Sequence, residues 1–206
     1  MLRPFGGLAH LRGVTRLVDT AVPDEVLARA RLGDEAAREV IYRTLAPATF
    51  TFIRRVVGQR ALAEDIFQDT MMALYERLPQ FRGEAPLGAW LRQIALNRCL
   101  MYLRSPWQRA RMRLEASELA TGCAPNMLAV PGYRGDSIDL ERALAALAPT
   151  ARAVVWMFEV DGDSHEEIAR ACGRSVSFSK SQLARAHVRL RAWFEPQEIR
   201  QSCTLI

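Results

Sequence analysis

A pair of helices near the end of the chain carries the side chains best suited to contact a charged partner. The segment "SHEEIARACGRSVSFSKSQLARAHVRLRAW" runs from Ser164 to Trp193. Ser164 and Glu167 have the S-x-x-E spacing of a capping box, in which a hydroxyl and a carboxylate satisfy the first free amides of a helix. Gly173 can adopt the left-handed conformation that ends this helix, and Ser175 can cap the next one.

The second helix of this pair has an apolar side and a side that can form hydrogen bonds. Its apolar stripe is expected at Val176, Leu183, Leu190 and Phe194. A helix-turn-helix uses hydroxyls, amides and cations at the start of its second helix to meet base edges and phosphates. A basic helical hairpin can also do no more than close a core, and the spacing alone leaves both interpretations open. The groups outside the apolar stripe are Ser177, Phe178, Lys180, Ser181, Gln182 and Arg185.

Metal binding and catalysis are not indicated by the remaining reactive residues. The four cysteines contain no C-x-x-C pair, and the three histidines do not complete a zinc pattern. The letters "HEE" at His165 do not continue to the metalloprotease motif H-E-x-x-H, because Ala169 stands at the second histidine position. Neither a nucleophile with its base nor a Gly-rich phosphate loop is present. We therefore expect that the protein is not an enzyme and that it binds neither a cofactor nor a metal. The cysteines are expected to be reduced thiols, and a redox sensor is the alternative.

The charge balance favours an anionic partner. The chain has 206 residues, enough for one or two domains, and a formal net charge of +5. No apolar run approaches the roughly 20 residues that a membrane-spanning helix needs, and the N-terminus lacks the apolar centre of a secretory signal. We expect a cytoplasmic protein without membrane insertion.

The hydrophobic pattern predicts an all-α fold of two small helical domains joined by a flexible linker. No alternation typical of β-strands persists along the chain. Glycine and proline residues interrupt the helical pattern between the two helix-rich blocks. The predicted segments are a disordered extension at 1–23, a first domain at 24–113, a linker at 114–136, a second domain at 137–195 and a tail at 196–206.

The first block contains a helix with an acidic side. In "RALAEDIFQDTMMALYERLPQF" the apolar residues recur at helical spacing, and Pro79 ends the helix. The loop "FRGEAP" follows, and a further helix begins at Leu87 and is stopped by Pro106. The acidic and amide side chains on the solvated side are Glu64, Asp65, Gln68 and Asp69.

Both blocks resemble one protein family. The segment "AEDIFQDTMMALYERLPQFRGEAPLGAWLRQIALNRCLMYLR" resembles the sigma-2 domain of the extracytoplasmic-function (ECF) sigma factors, which are sigma-70 type initiation subunits of bacterial RNA polymerase. The segment "ALAALAPTARAVVWMFEVDGDSHEEIARACGRSVSFSKSQLARAHVRLRAW" is similar to the sigma-4 domain of the same family. Domain order and spacing agree, and the resemblance extends from Asp24 to Phe194.

The resemblance implies protein partners. Glu64, Asp65, Gln68 and Asp69 match the helix that docks on a coiled coil of the largest polymerase subunit, and an acidic side suits a basic partner. An ordinary solvated helix side is the alternative. Members of the family are usually held inactive by an anti-sigma protein, so a separate partner of that kind is expected as well.

The loop and the helix that follow match the part of the family that handles the minus-ten promoter element. Strand opening holds a base out of the stack, and single-strand capture uses cations near aromatic rings. Asn97 matches an asparagine that reads the captured strand, whereas Trp90 could instead be a core residue. The residues implied at this element are Arg82, Gly83, Trp90, Arg92, Asn97, Arg98, Tyr102 and Arg104.

In the sigma-4 domain, the second helix of the helix-turn-helix reads the minus-thirty-five element. A few side chains select the sequence and the others position the helix on phosphates. The chain departs from the family at Gln182, where an arginine is usual, and at Met101, where Asp or Asn is frequent, so its promoter preference should differ. The residues implied here are Ser175, Ser177, Phe178, Ser179, Lys180, Gln182 and Arg185.

Two functions fit the residues taken alone. A dissociable initiation factor binds core RNA polymerase and promoter DNA. A stand-alone helix-turn-helix regulator occupies duplex operators and has no use for the acidic Glu64–Asp69 side. The resemblance implies the first of these.

Overall fold

The computed structural model describes residues 15–104 and 142–202. Within these ranges every regular element is a helix, which confirms the all-α prediction. The predicted linker at 114–136 lies outside the described residues. The helices of the first domain are α1 (Asp24–Arg31), α2 (Glu35–Val57), α3 (Arg60–Arg77) and α4 (Leu87–Arg104). Those of the second domain are α5 (Pro149–Trp156), α6 (His165–Cys172) and α7 (Val176–Ser202).

Local signals define the ends of α2, the longest helix of the first domain. The Asp34 carboxylate accepts hydrogen bonds from the amides of Ala36 and Ala37 at 2.9 and 3.2 Å, which caps the helix. Gly58 ends it in the left-handed conformation with φ of +82°. Pro47 lies inside α2 without ending it. Helices α2, α3 and α4 and the turn after α3 form one apolar core. Its bulkiest fully buried side chains are Ile41, Leu45, Leu74, Leu78 and Leu91.

The segment before α1 belongs to this core. Leu17–Asp19 form one turn of 3-10 helix, and Leu17 is 2% exposed. The carbonyl oxygen of Leu17 lies directly on Gly88 of α4, where a Cβ atom would collide with it. The prediction that residues 1–23 form a disordered extension therefore does not hold for residues 15–23. A single anchoring leucine gives no periodic pattern that sequence analysis could detect.

The helical pair of the second domain has the predicted ends. Ser164 Oγ accepts a hydrogen bond from the Glu167 amide at 3.2 Å, and the Glu167 carboxylate accepts one from the Ser164 amide at 2.8 Å. This confirms the capping box. Gly173 ends α6 with φ of +61°.

The apolar stripe of α7 packs into the core of the second domain. Leu183 and Leu190 are fully buried as predicted, whereas Val176, in the first turn, is only half-buried. The side chain of Phe194 lies outside the described residues. Helix α5 runs into a π-helical turn at Met157–Asp161 and packs across α7.

The two domains pack against each other through a continuous apolar core. Helix α5 lies against α2, and α6 lies against α4. Burying apolar surface contributes roughly 25 cal/mol per Å², so residues from both domains stabilise the contact. This core includes Phe52, Ile53, Val56 and Leu96 of the first domain and Val154, Met157 and Ile168 of the second.

A buried arginine joins the second domain to the end of α2. Arg152 of α5 is 8% exposed, and its Nη2 donates to the Val57 carbonyl at 3.2 Å. The last carbonyls of a helix lack partners within it and carry the negative end of its dipole. Gly58 leaves room for the guanidinium, which a Cβ atom at that position would strike. Burial lowers the pKa of Arg152 to about 10, so the group stays protonated at neutral pH.

A second buried arginine lies between two carboxylates of the other domain. Arg92 of α4 donates from Nη1 to Asp161 at 2.8 Å and to Asp163 at 2.5 Å. Its Nη2 donates to the second oxygen of Asp163 at 3.3 Å. Arg16 adds a hydrogen bond from Nη1 to the backbone carbonyl of Asp161 at 3.0 Å. Arginines of the first domain thus hold the turn at residues 161–163, which we call the acidic turn.

The charges in this group reflect competition between burial and ion pairing. Burial raises the pKa of Asp161 to about 6, and the attraction of Arg92 offsets this only in part. Burial also opposes the charge of Arg92, but the hydrogen bonds and charges of Asp163 and Asp161 together raise its pKa. Asp163 meets both Nη atoms and is therefore the stronger partner of Arg92.

Replacing Gly88 by alanine should destabilise the first domain. The new Cβ atom would strike the Leu17 carbonyl and displace the anchoring segment. We expect the free energy of unfolding to fall by about 1–3 kcal/mol, as measured by urea denaturation.

A chain that begins at Ala21 is the control for this substitution. There the collision is absent, and alanine favours a helix over glycine by about 1 kcal/mol. The substitution should then be neutral or stabilising. An equal loss of stability in both chains would contradict the contact between Leu17 and Gly88.

Replacing Asp161 by asparagine should change how stability depends on pH. Because its pKa is raised in the fold, the folded chain holds a proton between about pH 4 and pH 6 that the unfolded chain releases. The bound proton therefore stabilises the wild type at low pH, and the free energy of unfolding falls as the pH rises and the proton is lost. Asp161→Asn has no carboxyl at this position, so its free energy of unfolding does not fall for this reason. Relative to the wild type, the variant should gain about 1 kcal/mol between pH 5 and pH 7 in urea unfolding.

The matched control for this pH effect is Glu166→Gln, because Glu166 is exposed. It removes one carboxylate from the protein surface and so controls for the change in net charge. The charged groups that face Asp161 are Arg92, Asp163 and Arg16. Parallel profiles for the wild type and Asp161→Asn would show that the carboxyl is not buried as described.

Candidate nucleic-acid interface and protein-docking surface

The acidic side of α3 is open to solvent. Glu64, Asp65, Gln68 and Asp69 are all exposed, as the sequence predicts. Glu64 accepts from Arg60, one turn earlier, at 2.8 Å. An ion pair this exposed contributes little to stability, so it does not hold the carboxylate back from another partner.

The exposed surface of α3 continues beyond these four residues. Met72 is 63% exposed, and Glu76 is exposed as well. Asp65, Asp69, Met72 and Glu76 follow the spacing i, i+4, i+7, i+11, which places them in one line along the helix. An exposed methionine among carboxylates gives an apolar centre with a polar rim, the usual anatomy of a protein interface.

Sequence analysis did not select Met72 or Glu76, although the same helical spacing extends to them. We call the complete set the α3 stripe. Its members are Glu64, Asp65, Gln68, Asp69, Met72 and Glu76.

The loop after α3 is exposed, but its aromatic neighbours are not. Arg82 is exposed and lies 3.8 Å from Glu84, and Gly83 has a φ of +77°. Phe81 is buried, and Trp90 is half-buried against it with ring centroids 5.0 Å apart. Of the two interpretations of Trp90, this packing favours the core residue, because the ring contacts Phe81 and packs against the apolar core of the first domain.

The central residues of α4 differ in access. Arg92 is only 13% exposed and is held by the acidic turn, so it does not face solvent as a DNA-binding residue would. Sequence analysis could not detect this because its partners lie in the other domain. Asn97 is exposed and accepts a hydrogen bond from Gln93 Nε2 at 3.2 Å. Gln93 also donates to the carbonyl of Ala171 at the end of α6, at 3.2 Å.

The last predicted residues of α4 point to different surroundings. Arg98 is 31% exposed and its Nη1 lies 3.9 Å from Asp69, so it adjoins the α3 stripe. Tyr102 is half-buried and packs against the apolar core. The side chain of Arg104 lies outside the described residues.

The first turns of α7 present polar groups to solvent. Ser175 accepts a hydrogen bond from the Phe178 amide at 3.3 Å, which caps the helix. Ser175, Ser177, Lys180 and Arg185 are exposed. These hydroxyls and cations lie at the end of the helix that a helix-turn-helix inserts into a groove.

Ser179 does not belong to this surface. It is fully buried, and its Oγ lies 3.0 Å from Nδ1 of His165 on α6. Ser179 is four residues before Leu183, so the spacing that places Leu183 in the core also places Ser179 there. Gln182 and Phe178 are half-buried at the edge of the surface.

The other histidine and cysteine side chains in the described ranges are buried. His187 Nε2 lies 3.0 Å from Glu159. Cys99 and Cys172 are buried, and burial raises the pKa of Cys99 to about 12, so it is not a reactive thiolate at neutral pH.

Among the described residues, no cluster of three or more His, Cys, Asp or Glu could hold a metal. No helix in the same ranges is long and apolar enough to cross a membrane.

Family models match both domains. Sigma-70 region 2 matches residues 41–109, which contain the α3 stripe and α4. Sigma-70 region 4 matches residues 137–190, which contain the helical pair. A stand-alone helix-turn-helix regulator would account for the second match but not for the first.

Curated relatives agree with these matches. The chain is 32% identical over 162 residues to the RNA polymerase sigma-E factor of Streptomyces coelicolor, covering 78% of this chain and 87% of that one. It is 28% identical to the ECF sigma factor SigE of Mycolicibacterium smegmatis, covering 77% and 63%. It is 29% identical to the probable sigma factor RfaY of Xanthomonas campestris, covering 64% of this chain but only 34% of that one.

Two solved structures share the fold at 24% sequence identity. The sigma factor RpoE in complex with the anti-sigma factor NepR from Bartonella quintana gives a TM-score of 0.56 and covers 76% of this chain and 96% of that one. CnrH in complex with the cytosolic domain of CnrY gives 0.52 and covers 84% and 96%. From its two matched regions and its Streptomyces relative, the chain belongs to the extracytoplasmic-function group of the sigma-70 family of RNA polymerase sigma factors.

Proposed function

We propose that the chain is a dissociable initiation factor that docks on core RNA polymerase through the first domain and recognises promoter DNA with both domains. The observation that carries this is the pairing of an exposed acidic stripe on α3 with an exposed basic and hydroxyl-bearing start of α7. Family models cover both surfaces, and in the expected order. A sigma factor of this kind directs the polymerase and has no reaction of its own.

The α3 stripe is the proposed polymerase-docking surface. Its spacing of i, i+4, i+7, i+11 is the pattern with which one helix lies along another or along a coiled coil. The carboxylates of Glu64, Asp65 and Asp69 would fix the register on a basic partner. Met72 would supply the apolar contact at the centre, because an exposed methionine adapts to irregular surfaces.

The proposed minus-ten surface is α4 with the loop before it. Asn97 has the donor and acceptor that reading an unpaired base requires, and it is exposed on α4. Arg82 is exposed in the loop and can hold a phosphate. Trp90 would support this surface from the core, and Arg98 would link it to the α3 stripe.

The proposed minus-thirty-five surface is the start of α7. Lys180 and Arg185 are exposed cations about 1.4 turns apart along the helix. Cations of this kind bind phosphates and base edges in a major groove. Ser175 and Ser177 would add hydroxyl contacts at the helix N-terminus, where phosphates bind well. Gln182, half-buried at the edge of this surface, would choose between bases, because an amide pairs best with adenine.

Further partners follow from the family. One structure that shares this fold is a sigma factor in complex with the anti-sigma factor NepR, and another is CnrH in complex with the cytosolic domain of CnrY. We propose that an anti-sigma protein likewise binds this chain. Because its work requires polymerase and chromosomal DNA, we also place the chain in the cytoplasm.

Reversing two charges of the α3 stripe should weaken binding to core polymerase. Wild-type chain added to core polymerase should give promoter-specific transcripts from a minimal template. Asp65→Lys combined with Asp69→Lys should reduce its affinity for core about tenfold or more, because the new cations repel a basic docking site. Co-purification with core and titrated transcription measure both effects.

The matched control reverses two exposed acids elsewhere on the first domain, Glu25→Lys with Glu39→Lys. It carries the same change in net charge and should bind core as the wild type does. Equal loss in both double variants would assign the effect to net charge and not to the stripe. A wild-type chain that binds duplex operators alone and never associates with core would be a stand-alone regulator.

Replacing Asn97 by alanine should damage strand opening while core binding is retained, because the side chain would no longer hold the captured strand. Permanganate reactivity of promoter thymines measures the open strand. It should stay low for Asn97→Ala even when the holoenzyme saturates the promoter. Lys180→Ala is the contrasting variant: losing a phosphate contact weakens binding, so its reactivity should recover at saturation. Normal reactivity for Asn97→Ala would remove Asn97 from the minus-ten surface.

A further inference from the structure

The loop between α3 and α4 is held at both ends by contacts that involve the part of the chain before α2. We infer that Arg31, at the end of α1, is a positioning residue for this loop, which it fixes in the shape that captures a minus-ten base. The inference rests on the minus-ten role proposed for the loop. It adds that α1, which lies before the residues 41–109 matched by sigma-70 region 2, takes part in promoter opening.

The loop has few contacts of its own. Residues 82–86 belong to no regular element and are all exposed. Gly83 turns the chain with a φ of +77°, and a Cβ atom at this position would meet nothing within 4 Å beyond its chain neighbours. The 3.8 Å ion pair between Arg82 and Glu84 joins side chains that are 84% and 78% exposed, so it fixes little. The shape of the loop must therefore be set at its two ends.

Arg31 holds the first end of the loop. Its Nη2 donates a hydrogen bond to the backbone carbonyl of Phe81, and its guanidinium lies over the Phe81 ring, 5.5 Å from the centroid. Phe81 follows the 3-10 turn Leu78–Gln80, and α1 packs against that turn. A charged donor on the carbonyl and a cation over the ring hold one residue by its backbone and its side chain together. The residue from which the loop starts is thereby fixed.

The surroundings of Arg31 make its guanidinium dependent on this contact. Its Nε is buried and has no hydrogen-bond partner among the described residues. A buried cation needs acceptors, and the acceptor described for Arg31 is the Phe81 carbonyl. The other arginine near the end of α1 differs, because Arg29 is 55% exposed and pairs with Asp34. Arg31 is therefore the arginine of α1 that serves the loop.

The second end of the loop is held by α4 and by the turn before α1. Trp90, in the first turn of α4, packs against the Phe81 ring with centroids 5.0 Å apart, so the two sides of the loop meet in one stack. Gly88 lies against the backbone carbonyls of Leu17 and Thr20, whose oxygens a Cβ atom would meet at 2.0 and 3.0 Å. That close packing fixes the start of α4, and with it the end of the loop.

A loop fixed at both ends is already ordered when a base arrives. Base capture takes a base out of the stack into a pocket, and every loop residue that must become ordered at that moment adds an entropic cost. Holding the loop in its bound shape beforehand removes this cost. Arg31 would increase the yield of open promoter in this way, whereas Arg82 and Asn97 would make the contacts to DNA.

The first test measures the loop in the free full-length chain. Arg31→Gln removes the cation, and the backbone order parameter of the Gly83 amide from ¹⁵N relaxation should fall from about 0.85 to below about 0.6. Arg43→Gln removes an arginine of α2 that is 77% exposed and should leave Gly83 unchanged. The amide of Gly173, in the other domain, should keep its order in both variants, which checks that the fold is intact. A Gly83 amide as ordered in Arg31→Gln as in the wild type would overturn the inference.

The second test asks whether Arg31 acts through the captured base. Holoenzyme made from core polymerase and the full chain is titrated with the single non-template strand of a minus-ten element, and with strands that each lack one base. Arg31→Gln should bind core as the wild type does but bind the intact strand about tenfold more weakly. Tenfold corresponds to about 1.4 kcal/mol, which is the order of the cost of fixing one backbone residue.

The strands that lack a base separate positioning from a general loss of structure. The captured base is the one whose removal weakens binding of the wild type most. On the strand without it, Arg31→Gln and the wild type should bind equally, because the loop then has nothing to hold. An equal deficit of Arg31→Gln on every strand would overturn the positioning role.

Transcription distinguishes this inference from the proposed function. Wild-type holoenzyme should give promoter-specific transcripts, and Arg31→Gln should show reduced permanganate reactivity of promoter thymines at saturation. Normal reactivity in Arg31→Gln would overturn the positioning role and leave the proposed function intact. If no chain yields transcripts, the proposed function fails and the role of Arg31 in opening fails with it. The Gly83 measurement then still decides whether Arg31 holds the loop.

Discussion

One guanidinium, that of Arg92, determines how the parts of this protein are arranged. A buried charge is tolerated only with partners, so Arg92 fixes the position of Asp161 and Asp163 and with them the turn before α6. Arg16 binds the same turn through its backbone, and the neighbouring Leu17 lies on Gly88 of α4. The N-terminal segment, α4 and the acidic turn therefore form one connected unit, and a change in any of them reaches the other two.

The proposed partner surfaces of the chain differ in their surroundings. The α3 stripe and the start of α7 are open to solvent. On α4, Asn97 is exposed, while Gln93 one turn earlier donates to the Ala171 carbonyl of α6. Docking and duplex contact need only a preformed surface, whereas strand capture needs groups that surround a base. The two surfaces proposed for docking and duplex contact are of the preformed kind.

Sequence reasoning succeeded where a feature depends on residues within one or two helical turns. The capping box at Ser164 and the helix end at Gly173 are of this kind, and so is the exposed side of α3. It failed for Arg92, whose partners are 69 and 71 positions away, and for the segment around Leu17, which has no repeating pattern. Ser179 differs from these cases. Its spacing from the buried Leu183 indicates that Ser179 is buried as well, whereas the family resemblance implied that it contacts DNA.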